Sequence, residues 1–126
     1  MEHCTPDCYE VRRAVPECEC DFALRLSMGG LLRLVQEAST RHCTLLGITE
    51  ERYRETHTAF LLAKLCAQVY RVIPAGAELT LSTRPAAPAK AVYHRYTTLT
   101  LEDGQPAAAV DARWVLVDTE TKRILR

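Results

Sequence analysis

The chain of 126 residues contains no apolar run of the roughly eighteen residues that a membrane-crossing helix needs, so no segment reads as a membrane span. It has no excess of either charge, with 16 Lys plus Arg against 16 Asp plus Glu. Without a basic field there is nothing to draw it to nucleic acid or to an anionic lipid surface. Lysine is scarce: only Lys64, Lys90 and Lys122 carry that side chain, and the remaining cations are arginines. Arginine suits fixed contacts to carboxylate or phosphate. The opening MEHCTPDCYE is polar and acidic, unlike a secretory signal, which sets the expectation of a cytoplasmic chain with reduced cysteines. No repeat, low-complexity stretch or linker divides the sequence, and residues 1–126 read as one domain.

Cys4, Cys8, Cys18 and Cys20 cluster early, beside His3, yet none of them forms a Cys-x-x-Cys knuckle of the kind that structural zinc sites use. The expectation is no metal and no cofactor. Cys43 and Cys66 read as small hydrophobes.

Tyr9–Val15 alternates as a half-buried strand, and Pro16 ends it. Ser27 is a natural N-cap for a helix running to Leu46, with Gly47 as its stop. Leu31, Leu34, Val35, Ala38, His42 and Leu45 fall on one face of that helix, at the spacing of a buried stripe. TEERYRETH reads as an exposed helical turn. Four strand-like runs follow. In Phe60–Ile73, the residues Leu61, Ala63, Leu65, Ala67, Val69 and Ile73 form one apolar face, broken by Arg71. Leu79, Leu81 and Thr83 alternate with polar neighbours, Asp103-Gly104 marks a hairpin, and Ala108, Val110, Ala112, Trp114 and Leu116 share a face. The pattern predicts an α+β hotdog fold, one long helix wrapped by an antiparallel sheet of about five strands. Open sheet edges point to a homodimer or homotetramer.

The strings ECD-x6-MGGLLRLVQEASTRHCTLLG, GAELTLSTRP, YHRYTTLTLEDG and ARWVLVDTETKRILR resemble acyl-acyl carrier protein thioesterases over about residues 9 to 126. The resemblance is to the N-terminal hotdog of enzymes that usually carry two. The second hotdog, which bears that family's catalytic Asn, His and acidic or Cys residues, has no counterpart in this sequence. Arg84 stands where the family typically has Trp. Single-hotdog thioesterases of the 4-hydroxybenzoyl-CoA type place an Asp before the helix and an Asn near its start; here Asp21 takes the first place and Gly30 the second. The implied activity is hydrolysis of an acyl carrier protein or coenzyme A thioester.

That chemistry needs a base or nucleophile and donors for the oxyanion. Asp21 is the foremost candidate for the base, against the alternative of a loop carboxylate that caps backbone. Gly29 and Gly30, poor helix formers in a first turn, offer unpaired amides and room for a substrate. The alternative is that they let a neighbouring segment pack closely. Glu37 can act from the helix flank or be a solvated charge; His42, on the apolar stripe, can be catalytic or a core histidine. Leu34, Val35, Leu61, Leu65 and Trp114 can wall an acyl slot or simply form core, and Arg84, Arg71 or Arg95 can receive a phosphopantetheine arm.

Overall fold

In the computed structural model, which describes residues 2–126, the chain forms strands β1 (Glu2–Thr5) and β2 (Cys8–Ala14), then a single 3-10 turn (Glu17–Glu19). Helices α1 (Met28–Leu45) and α2 (Glu50–Thr56) follow, then strands β3 (Thr58–Val69), β4 (Glu78–Pro85), β5 (Val92–Thr100) and β6 (Pro106–Asp118). The strands make one sheet in the order β1-β2-β4-β5-β6-β3, every pair antiparallel. The sheet curls around α1, which packs on β2 and β4. This is the hotdog arrangement that the sequence pattern predicts.

The core lies between helix and sheet. From α1 it takes Leu31, Leu34, Val35 and Ala38; from the sheet it takes Leu79, Leu81, Leu99, Ala108 and Val110. His42 completes the buried stripe, but Leu45, at the end of the helix, does not: it is exposed. Gly47 follows at φ +84°, a left-handed turn that ends the helix at little steric cost. Among the described residues, no helix is long and apolar enough to cross a membrane.

Two details differ from the sequence pattern. The sheet has six strands rather than about five, because Glu2–Thr5 pairs with β2. Nothing in EHCT alternates. The strand is fastened by tertiary contacts: Glu2 accepts from the Tyr9 hydroxyl and from Arg41 on α1. The Arg41 guanidinium leads in holding the Glu2 carboxyl down at about 2, while burial and Glu2 push the Tyr9 phenol up to about 12.

The second difference is in β3. Its register slips between Leu62 and Lys64, leaving Ala63 without a partner on β6. One extra residue reverses the alternation. Leu65 and Ala67 stay on the inner face opposite Ala112 and Val110, but beyond the bulge Phe60 and Leu62 take the inner register, opposite Leu116 and Trp114, with Leu62 left 47% exposed. Leu61 therefore faces outward, opposite Val115, and is 54% exposed; it is not part of the inner apolar face.

Candidate active site

The loop between the 3-10 turn and α1 is built around Asp21. Its Oδ1 accepts the backbone amides of Ala23 (2.9 Å) and Arg25 (3.1 Å), and its own amide donates to the Arg25 carbonyl (2.8 Å). The turn so formed puts Leu24 at φ +58°, in the left-handed region. The second carboxylate oxygen, Oδ2, lies 3.3 Å from the Arg25 guanidinium. These donors, the Arg25 amide foremost, hold the Asp21 carboxyl below its usual range.

Backbone bonds from Leu26 to Ile73 (2.7 Å) and from Ala75 to Leu24 (2.9 Å) pin this loop to the segment after β3. Between the two runs a cleft of about 360 Å³ enters the molecule. Asp21, Arg25, Ser27 and Met28 form one wall, and Val69 to Ile73 form the other. Its apolar neighbours are unusually open, with Met28, Val69, Tyr70 and Val72 all at least half exposed.

The N-terminus of α1 borders this cleft. Ser27 caps it: its Oγ accepts from the Gly30 amide (3.0 Å) and donates to the Glu19 carbonyl (3.1 Å). The Leu31 amide closes the first helical bond on Ser27 O (2.8 Å). The amides of Met28 and Gly29 precede that bond and have no intrahelical acceptor, so they present positive ends of aligned peptide dipoles.

The two glycines differ. A Cβ at Gly30 would lie 2.2 Å from the Glu19 carbonyl oxygen, so backbone would collide with backbone. At Gly29 the nearest atoms belong to the Arg33 side chain, no closer than 3.5 Å. We expect Gly30→Ala to destabilise the protein by about 1–3 kcal/mol, the usual range for overpacking. Gly29→Ala should be neutral or slightly stabilising, through better helix propensity. Urea denaturation of the pair checks both, and equal stabilities would contradict the packing argument.

The other sequence candidates lie elsewhere. Glu37 is nine residues beyond Met28, about 13 Å along the helix axis. It is mostly exposed and pairs with Arg13 (2.7 Å). His42 is about 21 Å along the same axis and fully buried. Its ring stacks on Tyr9, and both nitrogens are engaged: Nε2 with the Thr5 carbonyl (2.8 Å) and Nδ1 with Arg95 Nη1 (3.0 Å). Arginine can only donate, so Nδ1 accepts and Nε2 carries the proton shared with Thr5. Within one chain, Asp21, Glu37 and His42 do not converge.

Of the arginines, Arg84 is exposed on β4, pairing with Tyr96 in register. It is not part of the cleft wall. Arg95 is on the inner face, donating to His42, to Thr83 Oγ1 (3.1 Å) and to Cys43 Sγ (3.8 Å). Burial lowers its pKa. Its place was readable from the alternation Tyr93, Arg95, Thr97, Leu99. Arg71 does line the cleft, and so does Arg25, which sequence reasoning passed over. Only its spacing of four residues from Asp21 hinted at the pair.

Residues 6–126 match the family model for the acyl-ACP thioesterase N-terminal domain. No curated protein sequence matches the chain. Among solved structures, the fold is similar to a putative oleoyl thioesterase from Lactobacillus plantarum, with TM-score 0.90 and 21% identity over 96% of this chain and 47% of that one. It is also similar to an acyl-ACP thioesterase from Bacteroides thetaiotaomicron, with TM-score 0.86 and 15% identity over 94% and 49% of the two chains. A Staphylococcus aureus protein solved in complex with CoA gives TM-score 0.86 and 13% identity over 98% and 78%. At such identities the likeness is one of fold. The chain spans about half the length of the first two relatives.

Proposed function

The chain belongs to the acyl-ACP thioesterase family, matching its N-terminal domain, and from that premise we propose that it hydrolyses acyl thioesters of acyl carrier protein or coenzyme A to acid and thiol. The observation that carries the reading is a carboxylate, Asp21, on the wall of a cleft that meets the open N-terminus of α1. Asp21 takes a proton from a water that attacks the carbonyl carbon, or attacks that carbon itself, breaking the carbon–sulfur bond to give a mixed anhydride that water then hydrolyses. The carbonyl oxygen, gaining negative charge, is held by the free amides of Met28 and Gly29 and favoured by the helix dipole. Gly30 supports this end by letting Glu19 approach and by fixing Ser27. The proton taken from water returns to the departing thiolate. His42 and Glu37 serve packing and surface pairing, and Arg84 remains a surface residue.

The working unit is a homodimer. β3 is an edge strand of 12 residues with its outer side unpaired, and Leu61, Leu62 and Val69 on it are exposed. A long apolar edge of this kind invites pairing with a second copy, and two dimers can pair further into a tetramer. The exposed side chains beside the cleft are then covered by the neighbouring subunit. The setting is the cytoplasm, where acyl carriers and reduced thiols coexist.

A second reading is favoured by the hydrogen bonding of Asp21, whose Oδ1 is committed to two backbone amides. On it the chain binds acyl groups, or partners a separate catalytic hotdog, without hydrolysis. Thiol release from a panel of acyl-CoA and acyl carrier protein thioesters separates the two, with light scattering of the same sample to size it. Hydrolysis by a dimer is expected. A folded protein that releases no thiol at any acyl length overturns the enzymatic reading in favour of the second, and a monomer overturns the dimer.

A further inference from the structure

Cys18 and Cys20 flank Glu19 in the 3-10 turn before α1, and no other two cysteines stand so close in the chain. Cys18 is exposed, so it is the thiol that meets a reagent first. Cys20 packs against the core, and its Sγ donates to the Pro16 carbonyl at 3.5 Å. Burial first, then the charges around it, push the Cys20 thiol up. The turn between them carries the start of α1. Two amide bonds close it, from Glu19 to Pro16 and from Cys20 to Glu17, both 3.0 Å. The Glu19 carbonyl then accepts from the amide and from the hydroxyl of Ser27, each at 3.1 Å, and Ser27 in turn caps Gly30. One carbonyl, set between the two cysteines, therefore fixes the N-cap.

We propose that Cys18 and Cys20 form a reversible disulfide with each other, and that closing it releases the N-cap of α1 and slows the chemistry beside Asp21. The rise and turn of a 3-10 helix put the two Cα atoms roughly 5 Å apart, within the span that a disulfide bridges. Their side chains diverge by a third of a turn, because three residues complete one. The bond cannot close on the turn as it stands: bringing the two Cβ atoms to about 3.8 Å opens it. Opening draws the Glu19 carbonyl off Ser27, which leaves Gly30 without a fixed cap and the amides of Met28 and Gly29 without a fixed aim. The oxidant is a small disulfide such as oxidised glutathione. The Cys18 thiolate attacks one of its sulfurs, breaking the S–S bond to give a mixed disulfide and a free thiolate, which takes the proton that Cys18 lost. The Cys20 thiolate then attacks the Cys18 sulfur and expels the second small thiolate, which takes the proton from Cys20. Two protein thiols are oxidised as one small disulfide is reduced to two thiols, and a reduced thiol pool drives the exchange backwards. The bond and the loosened cap follow from the loop alone; the effect on turnover rests on the reading that the thioester reacts beside Asp21.

The test equilibrates the full protein with mixtures of reduced and oxidised glutathione, blocks the remaining thiols and locates the bond by peptide mass. Amide hydrogen exchange is then followed on the reduced and oxidised forms. A Cys18–Cys20 bond that a dithiol reverses is expected. Exchange at the Gly30 amide should quicken on oxidation by about fivefold or more, the usual worth of an N-cap. Turnover of an acyl-coenzyme A thioester should fall about 100-fold, the scale on which small misplacements act. Cys18→Ser, at an exposed position, should match the reduced wild type in exchange and turnover and ignore oxidised glutathione. Cys18→Ala takes its place if the serine variant fails to fold. A mixed disulfide at Cys18 as the end point, a bond to any other cysteine, or a Cys18–Cys20 bond with unchanged exchange at Gly30 overturns the proposal. A protein that turns over no thioester in either state, yet forms the bond and exchanges faster at Gly30, loses the catalytic reading and keeps the switch.

Discussion

Asp21→Asn is expected to lower kcat/KM for acyl thioesters by about 100- to 10,000-fold, the range for loss of a positioned base, while leaving the fold intact. The asparagine side chain keeps an oxygen that can accept the Ala23 and Arg25 amides, so the loop retains its turn. It loses the charge and the basic lone pair, and with them the partly exposed ion pair to Arg25. The pH profile carries the same claim. In the free protein the Asp21 carboxyl is held below its ordinary 3.8, mainly by the Arg25 amide. A reaction that needs the carboxylate should therefore decline only as pH falls through a value lower than 3.8, and the asparagine variant should lack that decline. A full-rate Asn variant would move the base elsewhere. Steady-state rates across pH, with melting curves to confirm folding, check both parts.

Leu34→Ala is expected to destabilise the protein by about 2–5 kcal/mol, as large-to-small changes in closed cores do. Leu34 is 2% exposed and belongs to the cluster that joins α1 to the sheet. Sequence reasoning left open whether Leu34 walls an acyl slot or forms core. The two roles predict different behaviour: a core residue leaves a cavity when truncated, whereas the wall of an open slot loses little stability. Denaturant unfolding of Leu34→Ala separates them, and a loss below about 1 kcal/mol would mean the site is open or collapses readily.

Much of the fold was legible because burial imposes periodicity. The α1 stripe from Leu31 to His42 and the alternation of β4 recur in the structure residue for residue, and that of β6 recurs from Ala108 to Ala112, beyond which Trp114 and Leu116 are only half-buried and Val117 is buried instead. The Asp103-Gly104 hairpin does too, with Gly104 at φ +80°. What was illegible depends on contacts that periodicity does not encode. The bulge at Ala63 reverses a face through one unpaired alanine, and no residue type announces it. Strand β1 is fastened by Glu2, Tyr9 and Arg41, an arrangement that exists only once α1 lies beside the hairpin.

The candidate site divides in the same way. Asp21 and the glycine pair stood out because of where they fall relative to Ser27. The reason for Gly30, a carbonyl from the preceding turn, needed the path of the loop. So did Arg25 on Asp21, and the wall from Val69 to Ile73, since two segments far apart in sequence meet there. His42 reads as a possible catalyst in sequence because the chain does not reveal that Thr5 and Arg95 occupy its two nitrogens.

The most direct test of the central claim is to locate the acyl thioester on the protein. Backbone amide shifts would be recorded by nuclear magnetic resonance while a non-hydrolysable thioether analogue of an acyl-coenzyme A is titrated in. A thioester seated beside Asp21 at the start of α1 predicts the largest changes at Asp21, Arg25, Met28, Gly29 and the segment Tyr70–Ile73. Changes centred on His42 and Arg95, or on the exposed strand around Arg84, would contradict it.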